Sequence, residues 1–139
     1  MIVTSYSEEL KTRGHDECVD VTGVVQEAVN RASIRRGVAM IFVTGSTAGV
    51  TTIEYEPGLV SDLQAALRRL FPDALPYRHH DAPGEDNGPS HLRASCIGPS
   101  LSVPIRDGRL VLGTWQQIVL IDCDTLPRTR TYLIQLIGE

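Results

Sequence analysis

The stretch Tyr77–His91, YRHHDAPGEDNGPSH, gathers three of the chain's four histidines with the carboxylates Asp81, Glu85 and Asp86. Imidazoles are common ligands for zinc-like metals and move protons near neutral pH, while carboxylate oxygens suit magnesium, alone or as its diphosphate complex. A polar segment of this length reads either as a solvated surface loop or as a place where such ligands converge. Pro83-Gly84 and Gly88-Pro89 interrupt helices and central strands, which predicts a loop with His79 and His80 at its start and His91 at its end. A loop that leaves and re-enters one sheet brings its ends together, so His79, His80 and His91 are candidate metal ligands, although their spacing is not that of a zinc finger.

Other residues could share this chemistry. Glu54 ends a stretch with strand character, GVTTIE, where an inward carboxylate needs a partner or a purpose. In VTGSTAGVTT, Gly45 and Gly49 allow close backbone approach and Ser46 and Thr47 offer hydroxyls, a composition suited to cradling phosphate, though no Walker motif is present. The only tryptophan, Trp115, stands beside Gln116 and Gln117 in GRLVLGTWQQ, a set that suits stacking a flat ring and reading its edge, or a core tryptophan. There is no GxSxG elbow, so a serine triad is discounted, and Cys96, flanked by apolar residues in ASCIG, reads as a buried small hydrophobe.

The elements that must position these groups are mostly strands. IVTSYS, GVAMIFVTG, GVTTIEY, SLSVPI, QQIVLIDC and RTYLIQLIG are rich in β-branched residues and bounded by Gly, Pro or Asp. Asp107-Gly108 in VPIRDGRLVLGTW signals a two-residue hairpin, which favours antiparallel pairing. Two helices interrupt them. One follows Thr22, a candidate N-cap, with Val25, Val29 and Ala32 at helical spacing and Gly37 as its stop; the other runs from Pro57 to Pro72 on a stripe of Val60, Leu63, Leu67 and Leu70. The expected architecture is α+β, a mainly antiparallel β-sandwich with two flanking helices, in a single domain spanning 1–139.

Whole-chain properties bound the function. A chain of 139 residues is long enough to bury roughly two-thirds of its unfolded surface around one core. Three cysteines, widely spaced and never CxxC, argue against a disulfide framework or zinc ribbon and suit a reducing compartment. The net charge of -4 argues against nucleic-acid binding, which needs a cationic surface. The longest apolar run, near GVAMIFV, falls well short of the roughly 20 residues that span a bilayer, and the N-terminus lacks signal-peptide layout, so no membrane partner and a cytoplasmic location are expected.

In order, GSTAGVTTIE, a proline-flanked helix, YRHHDAPGEDNGPSHLRASCIGPSLSVPIRDGRLVLGTWQQIVLIDCDTLPRTR and a terminal QLIGE resemble the YjbQ-like family, often called the secondary thiamine-phosphate synthase family. The resemblance covers the chain from Val38 onward, with SLSVPIRDGRLVLGTWQQI its most specific block. It implies a compact β-sandwich assembling as a homotrimer, with histidines near the subunit boundaries forming a candidate metal site. It also implies a weak transferase activity, in which hydroxymethylpyrimidine diphosphate joins thiazole phosphate with release of diphosphate. Tyr77, His79, His91, Glu54, Trp115, Gln116 and Arg128 match the family's positions. One position departs: the family's His-Thr-Thr-Ala is here Gly45-Ser46-Thr47-Ala48, so a histidine is missing and His80 is the candidate substitute.

The resulting expectation gives His79, His91 and Glu54 acid and base or metal-binding roles, with zinc or magnesium as the divalent metal held by His79, His80 and His91. Ser46, Thr47, Arg109 and Arg128, with Arg130, are expected to hold phosphate groups, and Trp115 and Gln116 to line the pocket of a small phosphorylated heterocyclic metabolite. Two rival readings share these residues: a trimeric protein that binds a metal or phosphometabolite without turnover, and a metal-dependent hydrolase with a metal-bound water between His79, His91 and Glu54.

Overall fold

A computed structural model describes residues 1–139. Eight strands, β1 (Ile2–Thr12), β2 (Glu17–Asp20), β3 (Arg36–Val43), β4 (Ala48–Glu54), β5 (Ser100–Arg106), β6 (Arg109–Leu110), β7 (Gln116–Asp122) and β8 (Arg128–Gly138), form two antiparallel sheets. Sheet A has the order β1-β8-β3-β5-β6 and sheet B the order β2-β7-β4. The chain is α+β, with the sandwich core lying between the sheets.

Alternation decides which side chains enter that core. On β8, Arg130, Tyr132, Ile134 and Leu136 are buried and share one face, while Leu133 and Ile137 point outward and are exposed. On β7, Ile118 and Leu120 face sheet A and Asp122 continues their row, whereas Val119 and Ile121, with Cys123 just beyond the strand, belong to a smaller cluster on the opposite face. That second face is covered by Val60 and Leu63 of helix α2 (Pro57–Leu70) and by Ile97, the last residue of helix α3 (Gly88–Ile97). Helix α1 (Thr22–Ala32) closes the sandwich from a third side, burying Val25, Ala28 and Val29 against both sheets.

The strand and hairpin assignments hold, and the structure adds the short β2 and β6. Four expectations are corrected. There are three α-helices and not two: Gly88-Pro89 opens α3 instead of preventing a helix, because proline at the first turn lacks only an N–H that the helix does not use. His91 therefore sits on a helix and not at a loop's end. Thr22 does not cap α1; its hydroxyl accepts from Ile118 N at 2.8 Å, tying the helix to β7. Gly37 does not stop α1, which ends at Ser33 in a left-handed conformation; Gly37 lies on β3, where a Cβ would meet Ile137 O at 2.1 Å. Helix α2 is capped by Glu56, whose carboxylate accepts from Gly58 N and Leu59 N, an arrangement that holds its pKa below the ordinary value.

Candidate functional site

The β3–β4 turn begins where Thr44 N and Oγ1 both donate to Thr131 O of β8, at 3.0 Å each. The chain then passes through Gly45 at φ +122, a conformation that L side chains rarely adopt, before entering β4 at Ala48. α3 packs against this turn and brings His91, Ala94 and Ser95 to it. With Gly45, Ser46 and Pro99 they enclose a pocket of about 210 Å³.

The 3-10 turn Arg78–Asp81 brings the other histidines to α3. The His79 and His91 rings meet edge to face with centroids 4.8 Å apart, and His79 Nε2 lies 3.4 Å from a Glu85 carboxylate oxygen. His80 is engaged differently. Its Nε2 accepts from Gly88 N at 2.9 Å, supplying the first turn of α3 with the acceptor that a polar N-cap would otherwise give. That lone pair is therefore committed to the helix. No three His, Cys, Asp or Glu side chains converge in metal-holding geometry within the chain. The donor set His79, His80 and His91 thus does not fit a closed tetrahedral site.

Beneath the turn lies a buried charge network that joins the two sheets. Arg130 of sheet A donates from Nε and Nη2 to the two oxygens of Asp122 of sheet B, at 2.7 and 2.8 Å. Nη2 also reaches Thr47 Oγ1 at 2.6 Å. Thr47 donates to Asp124 at 2.9 Å, Arg128 Nε donates to the same oxygen at 2.5 Å, and Thr12 donates to Asp122. Asn87, the residue before α3, reaches Asp124 at 3.4 Å and links the network to the histidine helix. Burial pushes the Asp122 carboxyl up, but the bonds from Arg130, Thr12 and the Asp124 backbone outweigh it and hold the group below its ordinary value. At Asp124 burial is likewise outweighed, by the backbone of Thr125 and the side chains of Thr47, Arg128 and Asn87, and the pKa falls to about 2.

Along β4 a second hollow continues where the pocket ends. Ala48 and Pro99 border the pocket; Val50 and Ser100 border a slot of about 330 Å³ between edge strand β4 and the first part of β5, which β6 leaves unpaired. Gly49 separates the two, and a Cβ there would strike Ile97 at 2.6 Å and Gly98 O at 2.9 Å, so glycine lets the end of α3 press against β4. The slot is half apolar, lined by Leu101, Val103 and Leu112 together with Thr52, Ser102 and Gln116. Gln116 is held in place, accepting from Gly113 N and donating to Thr52 Oγ1, each at 3.0 Å.

Ser46, His79 and His91 thus gather at one end of the sandwich, above Thr47 and Arg128, with Gln116 in the adjoining slot. Three expected participants lie elsewhere in the chain. Glu54 ends β4 opposite Gln116, six residues from Ala48 and so about 20 Å along the strand. It borders a separate hollow with Trp115, which is 71% exposed and not a core residue. Arg109 pairs with Arg106, itself opposite Arg36, at the end of β3 remote from Gly45. Cys96 is exposed, contrary to the expected burial, whereas Cys18 and Cys123 are buried, and burial pushes the Cys18 thiol up to about 11.

The Asp122–Asp124 and Arg128–Arg130 pairs carried a readable signal, since D-x-D and R-x-R at period two place both members of each pair on one face.

The comparisons with known proteins agree with this fold. A family model described as UPF0047 protein YjbQ-like matches residues 7–139. The UPF0047 protein YugU of Bacillus subtilis is 37% identical over 131 residues, covering 94% of this chain and 96% of that protein. A UPF0047 protein of Methanocaldococcus jannaschii is 32% identical, covering 96% and 94%. The crystal structure of a YbjQ-like protein of unknown function from Sulfolobus solfataricus superposes with a TM-score of 0.90 at 30% identity, covering 99% of this chain and all of that one. An uncharacterised protein of the same family from Clostridium acetobutylicum gives 0.88 at 33% identity, over 95% and 99%.

Proposed function

The chain belongs to the YjbQ-like UPF0047 family, and from that membership we propose that it is a weak thiamine-phosphate-synthase-like transferase acting on phosphorylated heterocycles. The observation that supports this most is the pairing of a pocket rich in imidazole and hydroxyl groups with a half-apolar slot on the same strand edge. Phosphate oxygens would lie in the pocket near Ser46, Ser95 and His91. The pyrimidine would lie in the slot, where the Gln116 amide can read a ring edge.

In the proposed reaction the carbon–oxygen bond of the pyrimidinylmethyl diphosphate breaks and diphosphate leaves with the electron pair. The thiazole nitrogen then forms the new bond to the methylene carbon. Such a step needs no nucleophilic side chain; it needs charge neutralisation at the leaving group. His91 would donate to the departing diphosphate, with His79 against its ring and Glu85 beside His79. Magnesium, when present, would arrive with the diphosphate as part of the substrate.

The test is product analysis. Purified protein given both substrates and magnesium is expected to release diphosphate and form thiamine phosphate in equal amounts. Absence of thiamine phosphate at high enzyme concentration would overturn the reading. Saturable substrate binding without product would instead support the reading of a metabolite-binding protein, which the lack of a three-ligand metal cluster favours second. The hydrolase reading loses its support in the single chain, because Glu54 does not lie with the histidines.

We also propose that the chain assembles as a homotrimer. On the outer face of sheet A, Val3 stands opposite Ile137 and Phe42 opposite Leu133, with Met40 beside them, and all five are exposed. A contiguous apolar face of this kind marks an interaction surface, and further copies of the chain are its proposed occupants. Light scattering is expected to give three times the 15.2 kDa chain mass. Phe42→Glu is expected to reduce it to one; a wild-type monomer would rule the trimer out.

A further inference from the structure

Arg130 is 6% exposed, yet its guanidinium is not fully used by the protein. Nε and Nη2 are spent on Asp122 and Thr47, while Nη1, which carries two N–H groups, donates to no protein acceptor. It is also not among the buried side-chain atoms that are sealed from solvent without a partner. What lies over it is Gly45. A Cβ at that position would stand 2.8 Å from Nη1, so any side chain other than hydrogen would press on the group. Gly45 itself lines the pocket of Ser46, His91 and Ser95.

We propose that Gly45 is a window through which Arg130 Nη1 donates to an oxyanion of the substrate bound in this pocket. The inference rests on the reading that the pocket takes the phosphorylated substrate, and it names the group that would orient the phosphate. The bidentate bond to Asp122 fixes the plane of the guanidinium, so the direction of Nη1 is set before a ligand arrives. Because Asp122 and Asp124 balance Arg130 and Arg128, the site offers directed donors without surplus positive charge. It should therefore hold a free inorganic anion weakly and act mainly by orienting the oxyanion end of a larger molecule. Phosphate and carboxylate share this chemistry.

The experiment is an NMR titration of the full chain carrying nitrogen-15 arginine, with inorganic phosphate, diphosphate and acetate added separately at constant ionic strength against chloride. The Arg130 guanidinium signals are expected to shift saturably with diphosphate and phosphate. Gly45→Ala is expected to weaken that binding about tenfold or more, because the methyl covers Nη1. Gly108→Ala is the control for backbone strain, since Gly108 also has positive φ, +79, but its nearest neighbour for a Cβ is 4.0 Å away. It should bind as wild type.

No saturable shift at Arg130 with any of the three anions overturns the window, as does wild-type binding by Gly45→Ala or an equal loss in Gly108→Ala. Should Gly45→Ala not fold, the wild-type titration decides alone. Preference for acetate would keep the window while overturning the phosphorylated-substrate reading. Saturable phosphate binding without product in the transferase assay would separate the window from the proposed reaction.

Discussion

Arg130→Met is expected to lower the unfolding free energy by about 3–5 kcal/mol, a large share of the roughly 5–15 kcal/mol that holds a domain together. The reason is Asp122, which is fully buried and loses both of its charged hydrogen bonds in the variant. Thr12 and the Asp124 backbone remain as donors, but neither carries charge. The double variant Asp122→Leu with Arg130→Met should recover much of the loss, because it removes the orphaned carboxylate together with its partner. Chemical denaturation followed by circular dichroism checks both. A single-variant loss below about 1 kcal/mol would mean that the inter-sheet pair does not hold the sandwich end together.

The same network sets the acid limit of the fold. A carboxyl whose folded pKa lies below its unfolded value stabilises the protein above the unfolded value, and loses that contribution as pH falls through the folded one. For Asp124 that window runs from 3.8 down to about 2, and Asp122 acts in the same direction. Asp16 acts the other way. Burial raises its pKa despite Arg93, so its ionised form costs stability at neutral pH and its protonation offsets part of the loss on acidification. Acid unfolding should therefore shift to higher pH in Asp124→Asn, where the favourable carboxylate is gone at every pH.

How legible all this was in the sequence differs by level. The long strands and the hairpin could be read because alternation and Asp107-Gly108 act locally, within the residues that carry them. Helix α3 could not, because Gly88-Pro89 serves equally as a helix start and a loop marker, and His80, eight residues upstream, supplies the acceptor for its first turn. The candidate site was half visible. His79, His91 and Ser46 were named from residue type, and the structure gathers them. Glu54 and Arg109 were chosen by type as well, but strand direction carries each to the far end of its sheet, which is decided by topology and not by any local pattern. Arg130 was named only as a phosphate holder beside Arg128, with no buried partner assigned to it. Only the facing of β7 and β8 across the core shows Asp122 to be that partner.

His91→Ala is expected to lower the rate of thiamine phosphate formation by about 100- to 10,000-fold, the range over which a positioned proton donor acts. His91 is the imidazole that borders the pocket, alongside Ser46 and Ser95. The change should not disturb the fold, since alanine favours the helix and His91 makes no side-chain hydrogen bond to other residues that the variant would leave unpaired. His79→Ala removes only the ring packed against it and the Glu85 contact, so a smaller loss of about tenfold is expected. Glu54→Gln should leave the rate within about threefold of wild type, because that carboxyl borders the separate hollow beside Trp115, about 20 Å along β4 from the Ala48 end where the diphosphate is proposed to leave. A collapse of turnover in Glu54→Gln with His91→Ala unaffected would reverse the assignment. The chemistry would then belong to the hollow beside Trp115, and the histidine helix would be left with a structural role.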